Sequence, residues 1–223
     1  MTHVTDLPDE RRHIAAVCRR LADAGLVIGT AGNISVRTGD LVAITATGAA
    51  FGRLTEDEVT VVDLAGNVVA GALAPTSEIE LHLGVYRKTS AGAVVHTHAP
   101  MATAVGCVVD ELPCVHYQML TLGGSVRVAP YATFGTRELA DNVLAALDGR
   151  TAALMANHGA ITYANDLDAA VELALTLEWA CTVYWRAAAI GTPRALTEAE
   201  QIACVEAVVE RRYYTTQPVK NKD

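Results

Sequence analysis

Positive charge is in short supply in this sequence. Lys and Arg number 17 against 25 Asp and Glu, a formal net charge of −8 over 223 residues. A general nucleic-acid binder needs a basic stripe to neutralise phosphates, and none is present. Long apolar runs are also lacking. Gly, Pro or charge interrupts every hydrophobic stretch well short of the roughly 18 residues that a membrane helix requires. No membrane partner is expected. The cysteines Cys18, Cys107, Cys114, Cys181 and Cys204 are odd in number and contain no CxxC pair. That pattern suggests neither a disulfide framework nor a zinc ribbon, and scattered thiols fit a cytoplasmic protein. They read as small core hydrophobes. The first twenty residues hold no apolar segment of the secretory type, so no signal is expected. Neither GxGxxG nor a Walker sequence occurs, which weighs against the nucleotide-binding α/β folds.

What is abundant is apolar bulk. Hydrophobic residues make up 51% of the chain and charged residues 19%. This excludes a disordered chain and supplies a sizeable core, and the length predicts a single domain over 1–223. Pro8-Asp9-Glu10 opens a helix with Ile14, Val17, Cys18 and Leu21 on one stripe and Gly25 at its end. Residues 33–36, 41–45, 59–64, 93–97, 126–129 and 152–156 read as strands. Thr76–Lys88, a segment from Pro100, Arg137–Leu147, Asp166–Ala188 and Thr197–Arg211 read as helices. The tail from about Tyr213 reads as loose. Strands and helices interleave without strict alternation, and hairpin turns are present. A mixed or antiparallel sheet with helices on its faces is expected.

The chemistry concentrates at a few positions. His96-Thr97-His98 follows an apolar strand, where residues i and i+2 share a face and two imidazoles can meet one ion. Alone, such a pair can equally be two satisfied histidines. His158 follows a second strand, and Gly159 after it allows a turn. Three His ligands with an open position suit catalytic zinc. His82, on a helix, reads as packing or surface, and His116 is ambiguous. Pro75-Thr76-Ser77-Glu78 sits at a helix start, which is either an anion site or a capping box. Gly29–Asn33 and Thr45–Gly48 are short, polar and Gly-bearing, and can present backbone N–H groups to a phosphate or simply turn. Glu78, beside this cradle, can act as a weak ligand or a base. A zinc ion would polarise a carbonyl and acidify its neighbouring C–H. Tyr117 offers a phenol as a proton donor, or packs as an amphipathic interface residue.

Together these segments resemble the class II aldolase/adducin family. The match runs through GTAGNISVR (29–37), ITATG (44–48), PTSE (75–78), AVVHTHAP (93–100), LPCVHY (112–117), APYATFGTREL (129–139) and NHG (157–159), in the family's order. The resemblance implies a three-layer α/β/α fold around a central, mainly antiparallel sheet. It also implies a homotetramer with active sites at subunit interfaces. His96, His98 and His158 match the ligands of one Zn2+ or other divalent ion, and Glu78 matches the catalytic acid/base. Gly32, Asn33, Thr47, Gly48, Thr76 and Ser77 match the phosphate-binding positions. Tyr117 matches a proton-donating tyrosine that serves the adjacent subunit. Phe134 matches an aromatic at the aldehyde end, and a C-terminal tyrosine aligns loosely with Tyr213 or Tyr214. The implied activity is reversible aldol cleavage of a ketose 1-phosphate, such as L-fuculose 1-phosphate. The products would be dihydroxyacetone phosphate and a short aldehyde such as L-lactaldehyde. Sugar-phosphate epimerases, dehydratases and the non-catalytic adducin heads are the family's alternatives. Epimerases typically carry Asp where Glu78 stands, and adducin heads lack the histidines.

Overall fold

In the computed structural model, which describes residues 5–213, α1 (Pro8–Asp23) follows from its sequence. Pro8 occupies the first turn, Asp9 and Glu10 face the positive end of the helix dipole, and Ile14, Val17, Cys18 and Leu21 are buried. Strands β1 (Asn33–Thr38) and β2 (Leu41–Thr45) form a hairpin, and Gly39 supplies the positive φ of 62° that its turn requires. A short 3-10 turn at Glu56–Glu58 leads into β3 (Val59–Asp63), which pairs with β4 (Val68–Ala70). Helix α2 (Ile79–Lys88), strand β5 (Ala93–Thr97), helix α3 (Pro100–Gly106) and strand β6 (Glu111–Leu112) come next. A 3-10 turn at Tyr117–Leu122, β7 (Val126–Ala129), α4 (Arg137–Ala146), β8 (Ala152–Met155), β9 (Gly159–Ala164), α5 (Leu167–Ile190) and α6 (Glu198–Arg211) complete the order.

The strands form one sheet in the order β4-β3-β2-β1-β5-β9-β8-β7-β6. Only β7 and β8 run parallel, and every other pair is antiparallel. Two hydrophobic cores lie on its opposite faces. One holds Ile14, Ile34, Val95, Ala102 and Leu177, and so joins α1, α3 and α5 to the sheet. The other holds Val42, Val94, Leu83, Val143 and Ile161, and joins α2 and α4. Adjacent Val94 and Val95 enter different cores, as the two-residue period of a strand demands. The expected three-layer α/β/α arrangement is the one observed. Because His96 is in register with Val94, its ring belongs to the α2/α4 layer.

Three differences from the sequence expectation matter. Helix α2 begins at Ile79 instead of Thr76, since Thr76–Glu78 form a turn closed by Ile79 N–H on the Thr76 carbonyl at 3.2 Å. Residues 159–164 are a full central strand, pairing β8 on one side and β5 on the other. The left-handed residue between β8 and β9 is Asn157 (φ 54°), and Gly159 has its own, different constraint. The cysteines are all free, and Cys18, Cys114 and Cys181 are core residues as expected. Cys107 is exposed and Cys204 half-buried, so neither is a core hydrophobe. Tyr214 and the tail lie outside the described residues.

Candidate functional site

Three backbone elements converge where β5 ends. His96 is the fourth residue of β5 and is fully buried. His98 is one residue beyond the strand. His158 stands in the β8–β9 turn, where its N–H donates to the Met155 carbonyl at 3.2 Å. Glu78 caps α2 and is 6% exposed. Gly159 lets β9 close against β5: a Cβ there would strike the Thr97 carbonyl oxygen and press on the His98 ring. The absence of that Cβ brings His158 to the histidine pair. Ring centroids are 4.8 Å apart for His96–His98, 5.0 Å for His96–His158 and 4.9 Å for His98–His158.

The donor set fits a divalent cation. His96 Nδ1–H donates to the Ala160 carbonyl at 2.9 Å, which leaves Nε2 bare. Metal-bound histidines commonly make this second bond, because it fixes the tautomer. The Nε2 lone pair faces His98 Nε2 at 3.0 Å and Glu78 Oε2 at 3.2 Å. His158 Nε2 lies 3.5 Å from Glu78 Oε1, a buried oxygen with no hydrogen-bond partner among the described residues. One ligand atom from each of Glu78, His96, His98 and His158 lies within 4.8 Å of the others. Acceptors this close repel unless a cation or protons sit between them. Two ligands about 2.1 Å from a tetrahedral zinc ion are about 3.4 Å apart, close to these separations.

The local electrostatics suit ligation near neutral pH. Burial, then His96 and His158, push His98 down to about 4. Burial and His96 also lower His158. Burial would raise the Glu78 carboxyl, but His96, the Asn33 amide and His158 outweigh it and hold Glu78 well below the usual carboxylate range. His98 and His158 are therefore available as neutral ligands and Glu78 as an anion.

A cleft of about 500 Å³ opens beside the cluster. Gly32, Asn33, Thr47, Gly48, Thr76 and Ser77 line it, as do Glu78, His98 and His158. Tyr131, Ala132 and Phe134 also contribute to the lining. No Lys or Arg is among the described lining residues. Ala46 bridges Pro75, with Thr47 N–H on the Ala74 carbonyl and Thr76 N–H on the Thr45 carbonyl, both 3.0 Å. The Thr76 hydroxyl accepts from the Glu78 N–H at 3.3 Å, and Thr47, Gly48 and Ser77 line the cleft beside it. Gly32 (φ 98°) is required by space as well, because a Cβ there would lie 2.9 Å from the His96 carbonyl oxygen. Asn33 lines the cleft, but its amide is engaged inward, on Glu78 Oε2 at 2.9 Å.

Two expected residues are not in this cleft. Tyr117 and Tyr213 place their hydroxyls 3.4 Å apart. They line a separate small apolar cleft with Cys204, Val208 and Arg211. His116 stacks on Tyr117 and abuts Trp179 edge-on. The sequence reading missed Tyr131 and the engagement of His82 with Asn33. The latter had a signal: His82 is four residues after Glu78, one helical turn along the same face.

Comparison with known proteins identifies the family and the fold. Residues 12–185 match the sequence profile of the Class II Aldolase and Adducin N-terminal domain. The chain belongs to the class II aldolase and adducin family. It is 39% identical over 197 residues to the 5-deoxy-D-ribulose 1-phosphate aldolase of Bacillus thuringiensis serovar kurstaki, covering 87% of this chain and 92% of that one. It is 40% identical over 196 residues to the L-fuculose phosphate aldolase of Escherichia coli K12, covering 87% and 91%. A solved structure of an L-fuculose 1-phosphate aldolase superposes with a TM-score of 0.86 at 36% identity, covering 90% of this chain and 96% of that one. Among the described residues, no helix is long and apolar enough to cross a membrane.

Proposed function

We propose that this protein is a metal-dependent aldolase that reversibly cleaves a ketose 1-phosphate to dihydroxyacetone phosphate and a short aldehyde. The observation that carries it is that one cleft gathers three chemistries. Uncharged hydroxyl- and amide-bearing residues, members of the cluster of three histidines and Glu78, and the rings of Tyr131 and Phe134 all line it. Those three groups suit the phosphate, the central carbonyl and the aldehyde chain of such a sugar.

His96, His98 and His158 would hold the ion, with Zn2+ favoured by an all-imidazole set and Glu78 close enough to join. A bound divalent ion supplies Lewis acidity toward a carbonyl oxygen. Gly32, Thr47, Gly48, Thr76 and Ser77 bind the phosphate through N–H groups and hydroxyls near the α2 N-terminus. In the synthetic direction Glu78 removes the proton from the carbon next to the carbonyl. The electron pair left there attacks the aldehyde carbon, and the new alkoxide takes a proton from Tyr117. Cleavage reverses each transfer, and Glu78 returns its proton to the three-carbon fragment. The Tyr131 and Phe134 rings are 63% and 66% exposed, and they would border an aldehyde with an apolar tail. Tyr117 lies outside its own chain's cleft, which supports its service to the adjacent subunit of a homotetramer. Exposed Trp185, Ile202, Val205 and Val209 would be covered in such an assembly. The free thiols support a cytoplasmic location.

The test is a panel of ketose 1-phosphates that includes 5-deoxyribulose 1-phosphate and L-fuculose 1-phosphate, with release of dihydroxyacetone phosphate coupled to NADH oxidation. Release from at least one is expected. An epimer or a dehydrated product, with no three-carbon phosphate from any of them, would replace aldol cleavage by one of the family's other reactions.

A further inference from the structure

Behind Glu78 runs a continuous chain of buried polar side chains. Glu78, His82 and Tyr86 follow one another at four-residue intervals along the start and body of α2. Asn33 and Ser35 are two apart on β1 and face them. The helix stripe and the strand stripe interlock. Asn33 Nδ2 is 2.9 Å from Glu78 Oε2, and Asn33 Oδ1 is 2.5 Å from His82 Nε2. Ser35 Oγ is 2.6 Å from His82 Nδ1 and 2.7 Å from the Tyr86 hydroxyl. His82 and Ser35 are fully buried, and none of the five is more than 6% exposed.

Each hydrogen in this chain has one consistent place. Ionised Glu78 only accepts, so the Asn33 NH2 donates to it and the Asn33 carbonyl turns toward His82. That carbonyl only accepts, so His82 carries its hydrogen on Nε2. Burial pushes His82 down to about 3, so the ring is neutral near pH 7 and Nδ1 is bare. Ser35 then donates to Nδ1 and accepts from Tyr86. If His82 held its hydrogen on Nδ1, a bare Nε2 would face the Asn33 carbonyl. The amide would then flip, and set its oxygen against the carboxylate.

We propose that His82 is a positioning residue for Glu78. By donating from Nε2 it fixes the Asn33 amide, which ties down Oε2 and leaves Oε1 as the oxygen that exchanges the substrate proton. Oε1 is the atom that lacks a hydrogen-bond partner among the described residues, so the two carboxylate oxygens already differ before substrate arrives. His82 is not among the cleft-lining residues, and its hydrogen-bonded route to Glu78 runs through Asn33.

The inference rests on the aldolase reading, and two experiments separate them. Neutron diffraction from perdeuterated crystals reads the hydrogens without any assay. Deuterium on His82 Nε2, none on Nδ1, and the Asn33 ND2 group toward Glu78 are expected. Deuterium on Nδ1, or a flipped amide, overturns the proposal even if the enzyme is an aldolase. Kinetics of the metal-loaded protein test the consequence. His82→Phe should lower kcat about 10- to 100-fold with KM nearly unchanged and metal content retained. His82→Gln keeps an N–H for Asn33 and should recover most of that loss. Full activity in His82→Phe, or equal losses in both variants, overturns the positioning role. If the wild-type protein cleaves no ketose 1-phosphate, the aldolase reading fails while the neutron result still stands on its own.

Discussion

Asn33 lies directly opposite His96 across the β1–β5 ladder, so a candidate metal ligand and the residue that holds Glu78 are neighbours by backbone register. Hydrogen bonds place them together, and no flexible loop intervenes. Sites built on paired strands hold geometry more tightly than loop sites. Glu78 is therefore fixed against both the imidazoles and the cleft, and replacing its charge alone should separate its roles. Glu78→Gln is expected to retain bound metal by elemental analysis but to lose about 10²- to 10⁴-fold in kcat. Turnover equal to wild type would remove Glu78 as the proton carrier.

Removing the ion or one imidazole should act differently. Chelation is expected to abolish cleavage, with recovery on adding Zn2+ back. His158→Ala should lose metal and activity together, because it opens the cluster at the β8–β9 turn. Full metal occupancy in that variant, measured by plasma emission, would strike His158 from the ligand set.

Much of this site was legible in the sequence because strand periodicity is a strict rule. His96 and His98 share a face by their spacing alone, and the segment order of the family places Glu78 and His158 beside them. Interleaved helices and hairpin turns pointed to a mixed or antiparallel sheet with helices on its faces, and the family resemblance implied the three layers. Other features were not legible. Strand β6 has two residues, too few to carry a period. Strand β9 begins with Gly159 immediately after the ligand turn, where the sequence suggests a turn and marks no strand. The roles of Asn157 and Gly159 depend on backbone angle and on the approach of β5, which one chain segment does not reveal. His82 was read as packing or surface, and it does pack. Its hydrogen bonds to β1 required knowing which strand α2 covers.

The two turn residues make opposite predictions. At Gly159 a methyl group meets the Thr97 backbone, which cannot retreat without disturbing His98. Gly159→Ala should destabilise by about 1–3 kcal/mol and weaken metal binding at least about 10-fold. Asn157 already holds a left-handed angle of 54°. Asn157→Gly should therefore stay within about 1 kcal/mol of wild type. Thermal melts with and without Zn2+ would check both. Equal tolerance at the two positions would contradict the close approach of β9 to β5.

The composition of the cleft predicts an unusual salt response. A phosphate site made of Lys and Arg weakens as salt screens it. Here the described lining has neither, and the chain carries a net charge of −8. Long-range repulsion of the anionic substrate is then what salt screens. Raising ionic strength from about 0.02 M to about 0.2 M should leave kcat/KM flat or raise it modestly. A steep fall across that range would mean that a basic group reaches the phosphate in the assembled enzyme.

Tyr117 gives the sharpest test of assembly. Its hydroxyl meets that of Tyr213 at 3.4 Å, in a cleft apart from the cluster of Glu78 and three histidines. If it protonates the alkoxide, it does so in the adjacent subunit. Tyr117→Phe removes only that hydroxyl, and the homogeneous variant should lose about 10²-fold or more in kcat. Each subunit of Glu78→Gln still carries an intact Tyr117, and each subunit of Tyr117→Phe still carries an intact Glu78. Co-expressed, the two inactive chains would form some interfaces that hold both working groups. Activity should reappear in the mixed assembly, and sizing of that fraction should show an oligomer. Mixed chains as inactive as their parents, despite proven co-assembly, would rule out the action of Tyr117 across the subunit interface.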